Sequence, residues 1–100
     1  MIKLTVLYAQ PADADAFDKH YLQTHTPLVR ALPGLDRFEV AFTLPDADGA
    51  PALYHLIAEL YFPDAQAMQA AMASPEGAAL AADAPNVTST KSVSMLSEIS

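Results

Sequence analysis

The chain has 100 residues, 52% of them apolar or aromatic, and a formal charge of −7. That length suits one domain spanning 1–100 rather than two, and so short a chain leaves much apolar surface uncovered when folded alone; a second copy, or a ligand cavity, is expected to hide the surplus. The five Lys and Arg residues (Lys3, Lys19, Arg30, Arg37, Lys91) are scattered and cysteine is absent, which excludes a basic stripe for nucleic acid or anionic membrane and any thiolate or disulfide chemistry.

Ile2 to Tyr8 alternates, with Ile2, Leu4, Val6 and Tyr8 on one face, and predicts a strand. The apolar part of this opening is too short and too regular for a signal peptide and meets Pro11 directly. No run is long enough to span a bilayer, so a cytoplasmic protein is expected. Asp13 or Asp15 is placed to cap a helix running toward Leu32, whose Phe17, Tyr21, Leu28 and Leu32 gather on one face. Pro27 removes one helical hydrogen bond and disfavours the α region at Thr26. A kink or short break near His25 follows, and Pro33-Gly34 ends the helix.

Leu35 to Leu44 reads as a second strand with Phe38, Val40, Phe42 and Leu44 on one face. Residues 45–51 are turn-rich. Ala52 to Phe62 is a third strand, apolar on both faces, with Leu53, His55, Ile57, Glu59 and Tyr61 sharing one of them. Asp64 caps a helix through Met72, and Ser74-Pro75-Glu76 starts another that stops at Asp83-Ala84-Pro85. Thr90 to Ile99 is the fourth strand. Asn86-Val87-Thr88 fits the glycosylation sequon, which carries no weight without a secretory signal.

The order β-α-β-β-α-β predicts an α+β fold of ferredoxin-like type: a four-stranded antiparallel sheet with both helices on one face. The other face is expected to pack on a second copy, sheet against sheet, in a homodimer.

Metal and nucleotide chemistry find no support. His20 and His25 are five apart, which puts them on different faces of an α-helix, unlike the four-residue spacing of zinc helices. Asp13, Asp15 and Asp18 lack calcium-loop spacing. No Gly-rich phosphate loop and no nucleophile elbow are visible. His55 and Glu59 share a strand face roughly 13 Å apart, each able to line a cavity or face a partner copy.

The densest motif runs Phe17-Asp18-Lys19-His20-Tyr21, then His25-Thr26-Pro27-Leu28, then Leu32-Pro33-Gly34-Leu35. It resembles the signature of the EthD family, and the resemblance carries through the strand spacing over nearly the whole chain. The family takes its name from bacterial breakdown of ethyl tert-butyl ether. The resemblance implies a dimeric α/β barrel, whose relatives include cofactor-free monooxygenases, lactone isomerases and polyketide cyclases. The reductase label often attached to the family finds no hydride-donor site here, and no cofactor is expected.

On that resemblance His25 is the candidate proton carrier, the competing reading being a helix-breaking cap before Pro27. Tyr21 and His55 are candidates to orient a substrate, with Phe17 and Phe38 as apolar wall; Tyr21 is equally at home as a core aromatic. His20 is expected to pack or face solvent. Two functions follow. One is a cofactor-independent enzyme moving protons on a small apolar or aromatic molecule, which needs an acid/base and a dry pocket. The other is a non-catalytic accessory or ligand-binding dimer of a degradation pathway.

Overall fold

A computed structural model describes residues 1–87 and 91–100. Thr88 of the sequon and Thr90 at the expected start of the last strand lie outside the described residues. The strands are β1 (Ile2–Ala9), β2 (Arg37–Phe42), β3 (Tyr54–Phe62) and β4 (Ser92–Glu98). They form one antiparallel sheet in the order β2-β3-β1-β4. The helical stretches are α1 (Ala14–His20), a π-helical segment (Tyr21–His25), α2 (Thr26–Arg30), α3 (Ala65–Ala73) and α4 (Pro75–Val87). This is the ferredoxin-like α+β fold expected from the element order.

Alternation builds the core. Leu4 stands between Leu60 and Leu96, Val6 opposite Ala58, and Tyr8 opposite Leu56. With Phe62 and Phe38 these side chains, the exposed Leu96 excepted, meet Phe17, Tyr21, Val29 and Val87 from the helices. Burying each large apolar side chain contributes about 1.5–3 kcal/mol. The opposite sheet face is more polar than its sequence pattern promised. Lys3 Nζ lies 2.8 Å from Glu59 Oε2, the Tyr61 hydroxyl donates to Glu39 Oε1 at 3.0 Å, and Arg37 lies over the Tyr61 ring. Leu7, Ile57, Val93 and Met95 share this face by register. Leu53 does not: it precedes β3 and is almost fully exposed.

Helix starts follow the caps. Asp13 accepts from the Ala16 amide at 3.1 Å, Asp64 from Ala67 at 2.8 Å, and Ser74 Oγ from Gly77 at 3.1 Å. Caps of this kind contribute about 1 kcal/mol each. A Cβ on Gly77 would meet the Met72 carbonyl oxygen at 2.3 Å, so glycine is what lets α4 begin directly behind α3.

Two expectations fail. The predicted stop at Asp83-Ala84-Pro85 is not taken, and α4 continues through Pro85 to Val87. Proline inside a helix costs about 3 kcal/mol, which is offset by what the extra turn delivers. Val87 is buried in the core, and the Asn86 side-chain amide donates to Asp83.

Thr26 is also not driven from the α region; it sits at φ −60°, ψ −39°. The chain instead absorbs Pro27 by widening one turn. The Thr26 amide skips the Leu22 carbonyl and bonds to Tyr21 O, a five-residue step. Pro27 has no N–H to offer Leu22 O in that wider register. The Thr26 hydroxyl fills the gap, donating to Leu22 O at 2.7 Å. The helical path then ends at Arg30, short of Leu32, and Gly34 turns the chain at φ +77°.

Candidate functional site

The widened turn has a geometric result. In an α-helix a five-residue step rotates a side chain by about 140° at roughly 100° per residue. In the π segment the five-residue step is the repeat itself, so His20 and His25 come round to one side. Both reach Asp83 on α4. His20 Nε2 lies 3.0 Å from Asp83 Oδ1, and His25 Nδ1 lies 2.8 Å from Asp83 Oδ2. The different-faces expectation for this pair is overturned by the π register.

Asp83 is 8% exposed and also accepts from Asn86 Nδ2 at 2.9 Å. Burial lifts its carboxyl, but hydrogen bonds from Asn86, His25 and His20 outweigh that and hold it below the ordinary 3.8. The group is therefore an anion that accepts from both rings. In neutral imidazole one nitrogen donates and the other accepts. With His20 Nε2–H and His25 Nδ1–H directed at Asp83, the lone pairs fall on His20 Nδ1 and His25 Nε2. Among the described residues neither of those two atoms has a hydrogen-bond partner. No group of three or more His, Cys, Asp or Glu among the described residues is arranged to hold a metal.

His20 and Asn86 line a cleft of about 600 Å³ with Pro11, Ala12, Ala16 and Phe17. His25, the candidate proton carrier, does not line that cleft; it is 6% exposed, its ring 4.9 Å from that of Tyr21. Its ring is turned to α4 because that is where the carboxylate stands. Tyr21 is buried, tilted edge-on to Tyr8 and stacked on Phe17 at 5.8 Å. Burial, and then the neighbouring Tyr8, raise the Tyr21 phenol well above its ordinary value.

The remaining candidates lie apart. Phe38 is a core residue under the Arg30 guanidinium, 5.1 Å from its ring centre. His55 is not on the face of Glu59. The β1–β3 register passes from Tyr8↔Leu56 to Ala9↔Tyr54, leaving His55 as the extra residue of a bulge. The bulge turns its ring to the helix side, where Nε2 meets Asp18 Oδ1 at 2.7 Å. Glu59 stays on the open face with Lys3.

Sequence reasoning missed Asp83 and Asn86 and undervalued His20. A signal existed: Gly77, Leu80, Asp83 and Val87 recur at helical spacing, which makes Asp83 the polar member of an inward stripe.

Fold and site together define a ferredoxin-like domain carrying a buried carboxylate shared by two histidines at the edge of an open cleft. The EthD domain profile matches residues 9–91, and the chain belongs to the EthD family. An uncharacterized 11.0 kDa protein of the thcB-thcC intergenic region of Rhodococcus erythropolis is 42% identical over 89 residues, covering 89% of this chain and 85% of that protein. The crystal structure of an EthD family protein from Bacillus halodurans is 37% identical, covers 100% of this chain and 99% of its own, and superposes with a TM-score of 0.90. The fold extends to SnoaB of Streptomyces nogalater, a cofactor-independent oxygenase, at 14% identity, TM-score 0.72, and coverage of 99% and 92%. No helix among the described residues is long and apolar enough to cross a membrane.

Proposed function

We propose that this protein is a homodimeric enzyme of small-molecule catabolism that transfers protons on a small apolar or aromatic substrate. The reaction is of isomerase, cyclase, dehydratase or cofactor-free oxygenase type and needs no resident cofactor. One observation carries the reading: a buried, ionised Asp83 tied to two imidazoles, one of which lines the cleft of about 600 Å³. His20 takes a proton from substrate at Nδ1, the resulting imidazolium is stabilised by Asp83, and the proton is returned at a second position. His25, the proton carrier expected from sequence, becomes the positioning residue that fixes the carboxylate from behind. Phe17 supplies apolar wall. The oxygenase named above supports the cofactor-free part of the reading by likeness of fold alone.

The test is solvent exchange. Enolisable aryl ketones and lactones are incubated with the protein in deuterated water, and label uptake is followed by NMR. Exchange above background is expected, falling by about 10²-fold or more in His20→Gln, the usual worth of a general acid/base. The openness of the cleft favours a second reading, a ligand-binding accessory dimer. Compounds that bind saturably in the cleft with no exchange would establish that reading instead.

A further inference from the structure

We infer that His55 and Asp18 form a second ligand site, separate from the Asp83 cleft, that takes a small ring compound bearing a hydroxyl group. The dyad is short, His55 Nε2 to Asp18 Oδ1 at 2.7 Å. An ionised carboxylate only accepts, so a proton is on Nε2, and in the neutral imidazole the lone pair then falls on Nδ1. Among the described residues Nδ1 has no hydrogen-bond partner. The ring is held edge-on between Phe17 and Phe42, at 5.7 and 5.8 Å between centroids. It arrives there through a β-bulge, a feature that re-aims one side chain at the expense of ladder pairing.

His55 lines an open cleft of about 250 Å³, whose other walls include Gln10, Thr43, Pro45 and Pro51. The rim is pinned. Gln10 Nε2 donates to the Ala52 carbonyl at 2.9 Å, and the Thr43 hydroxyl donates to the Tyr54 carbonyl at 2.7 Å. An engineered cavity of about 150 Å³ accepts benzene, so this volume has room for one substituted ring. Proline walls suit a flat apolar body. A lone-pair acceptor backed by a carboxylate selects a hydroxyl donor and disfavours an anion.

The site is independent of the Asp83 cleft. Phe17 stands between them, lining the larger cleft while its ring touches His55. A change at His20 therefore leaves the second site intact, and failure of either reading is visible without the other.

The experiment titrates phenol into the full chain labelled with ¹⁵N at histidine, with anisole as the probe that keeps the ring and lacks the donor. The expected result is a saturable shift of the His55 Nδ1 resonance below about 10 mM, the range reached by single-ring fragments. Anisole is expected to bind about tenfold more weakly, the worth of roughly one hydrogen bond. His55→Asn abolishes the phenol response, and His20→Gln leaves it unchanged. Equal binding of phenol and anisole, saturation at His20 in place of His55, or no saturation at all would each overturn the inference. The phenol and anisole comparison needs no variant, so it decides the matter even if His55→Asn fails to fold.

Discussion

His25 Nδ1 stands 2.8 Å from Asp83 Oδ2 across 58 positions of chain, and both groups are buried. The contact ties the end of the π segment to the middle of α4, two elements that no strand joins directly. A buried acceptor of this kind is costly to disturb, because the buried His25 donor aimed at it has no water to turn to.

Asp83→Asn is therefore expected to lower unfolding free energy at neutral pH by about 2 kcal/mol, the scale for hydrogen bonds to a charged group. Urea titration measures this. The pH dependence gives a second readout. The unfolded chain protonates this carboxyl near the ordinary 3.8 and the folded chain at a lower value. Between those values the unfolded state holds more protons, so stability rises with pH. The contribution is complete above 3.8 and is lost as pH falls through the folded value. Asp83→Asn should flatten that acid limb, and an unchanged limb would detach Asp83 from it.

The buried phenols behave in the opposite sense. Burial raises Tyr8 and Tyr21 above the ordinary 10.0. Their contribution is present below that value and is lost as pH rises toward the folded ones. Tyrosinate absorbance should show these two rings ionising only as the fold gives way. Tyr21→Phe should remove one late-ionising ring, and an unchanged late phase would contradict its assignment.

Thr26→Val keeps volume and branching while deleting the hydroxyl that serves the Leu22 carbonyl. The expected loss is about 1 kcal/mol, seen as a lower urea midpoint at unchanged slope. A neutral result would mean that solvent satisfies Leu22 O equally well.

Association is expected to use the open sheet face, where Val93 is 42% and Met95 48% exposed. Met95→Lys should convert a dimer to a monomer in sedimentation velocity while leaving far-ultraviolet circular dichroism unchanged. A wild-type monomer at micromolar concentration would refute the dimer.

Strands and caps were legible because their signals are local. Leu4, Val6 and Tyr8 recur at every second position of their strand, as Leu56, Ala58 and Leu60 do of theirs, and Asp64 precedes its helix where a cap must. The site was less so, because it depends on register. The spacing of His20 and His25 separates them under α geometry and unites them under π geometry, and the difference turns on which carbonyl the Thr26 amide chooses. Asp83-Ala84-Pro85 is a stop signal by local chemistry, since it weakens a helix; that Val87 is buried in the core is a tertiary fact. The orientation of His55 hinges on one slipped pair between β1 and β3, which alternation cannot reveal.

The π segment can also be read as a length polymorphism. A wide turn holds one residue more than an α turn over the same rise, so deleting Gln23 would restore ordinary winding without shortening the helix axis. The chain downstream of the deletion would keep its seat on the core, and the two histidines would then stand four apart, the spacing that puts both on one α-helical face toward Asp83. A single codon thus separates a wide turn from an ordinary one with the carboxylate and both imidazoles kept, and relatives with three residues in place of four between these histidines would share the fold and the proton chemistry alike.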